Sequence, residues 1–333
     1  MKRRDFIKMS AGLGAVMAST TPLSPAFAQT KMVLKAADVH PLGYPTVEAV
    51  LSMGKKLEAA TNGRLTIQMF PSMQLGGEKE MIEQAQLGAL QIARISVGAV
   101  GPVVDDVNVF NMPFVFRNSK HMEKVIDGEI GDELLTKIST NEKTNLIALC
   151  WMNAGSRNVY NNKRPIRSMA DLKGLKVRMM GNPLFVDTMN ALGGNGVALG
   201  FDQVFSSMQT GVVDGAENNA PSFMAQNHYQ VAKYFTMTEH LIIPELVVFS
   251  RISWQKLSPE DQALIKKLSK EMQQEQRVLW YAAENAAIEK MKAAGTEIIT
   301  DIDKKPFQDA VKPVWDKYGA KYAAMVKRIE AVN

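Results

Sequence analysis

From Ser258 to Ala294 the chain carries no helix breaker, and this run constrains the fold more than any other feature. Ser258 stands as an N-cap before Pro259 at the first helical position, acids Glu260 and Asp261 fill the first turn, and Gly295 supplies the stop. About 35 residues at roughly 1.5 Å each give a helix of roughly 50 Å, longer than one small domain is wide. Such a helix is predicted to run across two lobes rather than inside one. The 333 residues, 46% hydrophobic and 22% charged, can supply cores for both. The same composition excludes disorder and the collagen-like and low-complexity classes.

Around this helix, strands and helices alternate. Val33–Ala37 reads as a strand, Thr46–Ala60 as a helix, Leu65–Phe70 as a strand, Glu78–Leu87 as a helix and Gln91–Ile95 as a strand. This order predicts an α/β fold with a parallel, doubly wound sheet. A second series begins near residue 157, with a strand at Leu175–Met179, a helix at Leu184–Ala191, a short strand at Val197–Leu199 and a helix at Gln203–Gln209. Val212-Val213 then leads a strand into Asp214–Asn219. The chain shows no internal repeat and no low-complexity linker, so two lobes joined by several crossings are expected.

The formal charge of +5 is concentrated at the start, where Lys2, Arg3, Arg4 and Lys8 stand against one acid, Asp5, within the first 28 residues. The remainder is nearly balanced, without the basic stripe of a nucleic-acid binder. Arg3-Arg4-Asp5-Phe6-Ile7-Lys8 resembles the twin-arginine export motif, and Ala26-Phe27-Ala28 fits a cleavage site before Gln29. The expected compartment is the bacterial periplasm. No other apolar run reaches 18 residues, so the mature chain is not expected to be embedded in a membrane. A single cysteine, Cys150, excludes an intramolecular disulfide, a multi-cysteine zinc site and an iron–sulfur cluster.

Several segments carry a resemblance. Met169–Lys173 followed by Gly174-Leu175-Lys176-Val177-Arg178, and Val213–Asn219, resemble the extracytoplasmic solute receptors of TRAP transporters, of the DctP type. Phe70-Pro71-Ser72 with Gln74–Glu78, Gly98 to Phe116, and Arg157 fit the same pattern in order and spacing. The resemblance implies a two-lobed periplasmic binding protein fold, a ligand cleft between the lobes and a long helix across both. It implies a receptor that hands a small organic acid to a membrane permease, and not an enzyme. The expected division is a leader over 1–28, a first lobe of 29–151 with 241–283, and a second of 152–240 with 284–333.

Nine residues are candidates for the ligand site. In the strand at 175–179, Lys176, Arg178 and Met180 face away from Leu175, Val177 and Met179. An arginine at the carboxyl end of such a strand sits where α/β sheets place ligands, and its planar fork can hold a carboxylate by two parallel bonds. The alternative is a surface arginine paired with a neighbouring acid; the family's matching arginine makes the salt bridge, which places Arg178 first. Asn218 matches the family's Glu-Asn motif, its amide able to donate to a carboxylate, or else is a turn residue. Asn219 stands beside it. Arg157 either touches ligand or orients Asn218 or a water. Asn153 stands where family members often carry aspartate. In the first lobe His40, Glu78 and Arg94 would reach the cleft and supply both donors and acceptors; a loop histidine, a helix-capping acid and a surface ion pair are their plainer roles. Phe185 either packs on the ligand's apolar face or belongs to the core.

This set suits a monocarboxylate bearing hydroxyls, such as a uronate or aldonate, over a short dicarboxylate or a branched or aromatic acid. A sensor subunit presenting the same ligand stays open as an alternative. Catalysis would need a nucleophile–base or metal constellation. Cys150 and the separated His40, His121, His228 and His240 offer none, so neither cofactor nor metal is expected. Gly193-Gly194-Asn195-Gly196 lacks phosphate-loop spacing and reads as a turn. Trp280 and Tyr281 in the long helix are expected to pack.

Overall fold

The computed structural model describes residues 31–333. The leader reading of residues 1–28 lies outside the described residues. The chain opens in the expected order: β1 (Met32–Ala37), a helix at Pro45–Ala60, β2 (Leu65–Phe70), a helix at Glu78–Leu87 and β3 (Ile92–Ser96). Gly88, in the left-handed region with φ 80°, stops the second helix by turning the chain where a Cβ would be strained. There follow β4 (Leu146–Met152), β5 (Arg157–Asn161), β6 (Lys176–Met179), β7 (Asn195–Ala198), β8 (Gly215–Asn218), β9 (Tyr234–Leu241), β10 (Glu245–Ser250) and β11 (Glu297–Ile299). β7 begins two residues earlier than the apolar run Val197–Leu199 suggests.

Among the described residues these strands form two sheets, in the orders β2-β1-β3-β10-β4 and β11-β9-β5-β8-β6-β7. Neither is wholly parallel, which corrects the doubly wound expectation. β10 runs antiparallel to both β3 and β4, and β5 antiparallel to both β8 and β9, while the other pairings are parallel. The odd strand in each sheet has one origin. The chain leaves β4 of the first sheet through residues 153–156 to become β5 of the second, and leaves β9 of the second through 242–244 to become β10 of the first. A strand arriving from the other sheet enters at the end its neighbours leave, so it runs against them.

The long helix spans Pro259–Ala293, 35 residues, with the Ser258 hydroxyl accepting from the Asp261 N–H as the capping pattern requires. Its first half packs Ile265, Leu268 and Met272 with Leu34, Val50 and Phe249 of the first lobe. Further along, Trp280 meets Tyr44, Val47 and Ala154. Its last turns bring Ala287 and Met291 against Phe223 and Phe235 of the second lobe. Burying each large side chain of this kind stabilises by roughly 1.5–3 kcal/mol, so the helix is bound to both halves. Trp280 is fully buried, in the packing role expected of it.

Candidate functional site

The loop after β1, the start of the helix Glu78–Leu87 and the neighbouring strands β3 and β10 bring one charged cluster together. Antiparallel register sets Glu245 of β10 opposite Ser96 of β3, which puts Arg94, two residues earlier in β3, on its diagonal. The buried Arg94 donates through Nη1 to Glu78 Oε1 (3.1 Å) and Glu245 Oε2 (2.5 Å), and through Nη2 to Asp38 Oδ1 (2.6 Å). Glu78 Oε1 also accepts from the Ser96 N–H at 2.8 Å. Asp38 is fully committed, since it takes further bonds from the His40 N–H and the Thr46 hydroxyl. Arg94 and His40 outweigh burial and hold the Asp38 carboxyl well below the usual carboxylate range. Burial acts the other way on Glu245, which, with Glu78 beside it and despite Arg94, is pushed up to about 7.

The second-lobe wall is built from β5, β6, β8 and the helix Ala220–Ala225. Arg157 of β5 is gripped by Glu217 of β8 through Nε and Nη2, and its Nη1 donates to Asn218 Oδ1 at 3.1 Å. The Asn218 carbonyl also accepts from the Asn219 N–H at 2.8 Å, which leaves the amide Nδ2 as its free donor. Asn219 caps the helix that follows by accepting from the Ser222 N–H.

Arg178 differs from the other two arginines. It is 3% exposed, its Nε donates to the Leu199 carbonyl at 2.8 Å, and its guanidinium lies 5.7 Å from the Phe201 ring. Among the described residues no carboxylate pairs with it. Burial pushes its guanidinium below the ordinary value, Glu217 opposes and Arg157 adds to the shift. A buried cation without a counter-ion is costly unless an anion arrives to pair with it.

These two walls face each other across a partly open cavity, with about 320 Å³ of space between atoms when the open solvent at its mouth is included. Arg178, Asn218, Arg157, Arg94, His40, Glu78 and Asn219 all line it. Asn153 and Phe185 do not: the expectation for Asn153 is corrected, and Phe185 takes the core role that stood beside its ligand role. Asn153 sits in the β4–β5 crossing, where its amide donates to Glu123 Oε1 (2.7 Å), its carbonyl accepts from the Gly155 N–H, and its main chain is bonded in both directions by Gln276. These bonds consume its polar groups in joining the crossing to the long helix. Phe185 is fully buried in the main core, against Gly98 and the apolar side of β6.

The aromatic residue on the cavity is Phe201, and Val39, Ser96, Met180, Ser222 and Glu245 complete the lining. Ser222, three residues beyond Asn219, was available from the capping pattern. Glu245 had no local signal. His40 Nε2 stands 3.1 Å from Ser222 Oγ, and the Tyr44 hydroxyl 2.8 Å from the same atom, so hydrogen bonds join the walls directly.

Among the described residues no group of three or more His, Cys, Asp or Glu side chains is placed to hold a metal ion. No described helix is long and apolar enough to cross a membrane. Burial pushes the Cys150 thiol up to about 12, the opposite of an activated nucleophile.

Residues 36–321 match the family described as bacterial extracellular solute-binding protein, family 7. A TRAP periplasmic solute binding protein from Pseudomonas putida F1, solved with bound D-glucuronate, is 59% identical, with 91% of this chain and 98% of that chain covered and a TM-score of 0.89. A Citrobacter koseri receptor with bound D-glucuronate is 47% identical over 91% of this chain and 100% of that one, also with a TM-score of 0.89. The open, apo form of the Citrobacter koseri receptor, at 44% identity over 90% of this chain and 98% of that one, gives 0.79. The chain thus superposes more closely on the bound form of that receptor than on its open form. The chain belongs to the DctP-type family of extracellular solute-binding proteins that serve TRAP transporters, which are receptors.

Proposed function

We propose that this chain is a periplasmic receptor that captures a hexuronate anion, D-glucuronate or a close epimer, between its lobes and delivers it to a TRAP permease. The observation that carries this reading is Arg178, a buried guanidinium on the cleft wall that no carboxylate pairs with among the described residues. The likeness to two glucuronate-bound receptors supports the ligand class. Arg178 and the Asn218 amide take the carboxylate, and Arg157 orients Asn218. His40, Glu78, Arg94 and Asn219 meet the hydroxylated remainder. The first lobe is assigned to 29–151 with 241–283 and the second to 152–240 with 284–333, which follows the sheet membership of their strands apart from Met152 of β4 and Leu241 of β9. The leader at 1–28 would direct export by the twin-arginine route. No catalytic step is assigned.

The cycle follows from two-state closure. A ligand favours the closed form only through contacts it makes better there, so polar groups from both lobes are required. Titration calorimetry tests the reading. D-glucuronate should bind and D-glucose should not, and Arg178→Ala should weaken glucuronate about a hundredfold or more, the range for leaving one partner of a buried ionic contact unpaired. Failure of the native chain to bind any hexuronate, or full affinity in Arg178→Ala, would overturn it.

A further inference from the structure

The two walls of the cavity differ in sign. The second-lobe wall carries Arg157 and Arg178 against one carboxylate, Glu217. The first-lobe wall carries one guanidinium, Arg94, against three carboxylates, Asp38, Glu78 and Glu245. Asp38 is wholly buried and both its oxygens are used inside the lobe. The other two are only half used. Glu78 Oε1 accepts from Arg94 and Ser96, and Glu245 Oε2 accepts from Arg94. Among the described residues, Glu78 Oε2 and Glu245 Oε1 meet no protein donor, and both residues line the cavity. Both oxygens remain open to the cavity's water, and a ligand that fills the cavity displaces that water, so each then needs a donor from the ligand.

We propose that Glu78 and Glu245 together form a hydroxyl-accepting, anion-rejecting end of the cleft, which orients a monocarboxylate with its acid group on Arg178 and its hydroxyls on the first lobe, and excludes dicarboxylates. The inference rests on the hexuronate reading and deepens it by fixing the ligand's direction and what is refused. A sugar hydroxyl has a proton to give each free oxygen. A second carboxylate has none, and it would stand against two acids already sharing one guanidinium. Specificity of this kind comes from repulsion of the wrong ligand as much as attraction of the right one. Among the described residues Arg94 is the only guanidinium on that wall, and both its Nη atoms already donate to carboxylates, so it has little left for a fourth.

The test compares D-glucuronate with D-glucarate, which carries a carboxylate at each end, by calorimetry at about pH 8, where carboxylates ordinarily are ionised. The native chain should prefer glucuronate by at least a hundredfold. Glu245→Gln and Glu78→Gln keep the shape while each removes one charge and replaces one acceptor oxygen by an N–H donor. Each should move the ratio at least tenfold toward glucarate, with glucuronate still bound and still dependent on Arg178. Using both variants protects the test should one of them fail to fold, which circular dichroism reports. If glucuronate binds through Arg178 but the ratio moves less than twofold in every folded variant, or glucarate binds the native chain as tightly, the filter is refuted and the receptor reading stands. If the native chain binds no hexuronate, both fall.

Discussion

Ser222 Oγ stands 3.1 Å from His40 Nε2, a hydrogen bond between residues 182 apart that ties the loop after β1 to the helix after β8. The Tyr44 ring stacks on His40 with centroids 3.7 Å apart and brings its hydroxyl to the same serine. One hydroxyl therefore serves two groups of the opposite lobe, and both bonds exist only while the lobes are together. A neutral hydrogen bond contributes about 0.5–1.5 kcal/mol. Ser222→Ala is expected to weaken glucuronate binding about three- to tenfold by calorimetry. The thermal midpoint without ligand should hardly move, because the serine hydroxyl adds nothing to the apolar packing of the core. An unchanged affinity would mean that these bonds do not contribute to closure.

Arg157 and Arg178 predict opposite responses to mutation. Arg157 is neutralised within the lobe by Glu217, and Glu217→Gln leaves that buried cation uncompensated, a loss of about 3–5 kcal/mol for breaking such a pair. Arg178→Met removes a cation that has no acid partner, so its cost to folding is expected to stay below about 1 kcal/mol while binding is lost. Urea unfolding without ligand checks both. Equal destabilisation by the two variants would place Arg178 in the structural framework instead of the ligand site.

The local elements and much of the site were legible because they depend on short-range signals. Apolar periodicity gave the helices, the Ser258-Pro259 cap fixed the start of the long one, and strand alternation pointed Arg178 away from the core side. What was not legible depends on where the chain crosses between sheets. Strand alternation carries no direction, so the reversed strands β5 and β10 could not be told from parallel ones. Glu245 reaches the cavity only because β10 returns from the second lobe and lies beside β3. Phe185 and Phe201 are similar in local sequence, each at the start of a helical stretch. Tertiary packing alone turns Phe185 onto Gly98 and leaves Phe201 beside Arg178. Asn153 kept its expected polar character, but its amide nitrogen and oxygen are both bonded within the crossing it occupies.

Gly98, just past β3, makes a close approach of the first lobe to the second. A Cβ on it would press into the Phe185 ring and stand 2.6 Å from the Met180 methyl, while its carbonyl accepts from Asn182 Nδ2 at 3.1 Å. Overpacking of this kind costs about 1–3 kcal/mol. Opening of the lobes is expected to relieve the contact, so the cost should fall on closure. Gly98→Ala is expected to weaken glucuronate about tenfold or more and to shift small-angle scattering of the liganded protein toward a more extended form. A lower thermal midpoint with affinity intact would instead make this a contact of the unliganded fold.

Buried histidines set the acid limit of stability. Burial pushes His228 down to about 3, with Arg178 acting in the same direction, and His240 to about 4, where Glu217 opposes and Arg157 assists. In the unfolded chain both titrate near 6.5. From there down to about 4 the unfolded chain binds protons that the folded chain refuses, so stability falls as the pH drops. Each proton is worth about 1 to 2 kcal/mol per pH unit. Glu245 has the opposite sign: held up to about 7, it keeps a proton in the folded state that the unfolded chain releases down to its ordinary value of 4.5, which adds stability on acidification. Two histidines against one glutamate leave a net loss, to which His40, also lowered by burial and Arg94, adds. The unfolding free energy from urea titration should therefore decline between about pH 6 and pH 5, by about 1 to 2 kcal/mol or more. His228→Gln removes one of the refused protons and should flatten that decline. An unfolding free energy that rises on acidification would mean that the Glu245 proton outweighs the histidines.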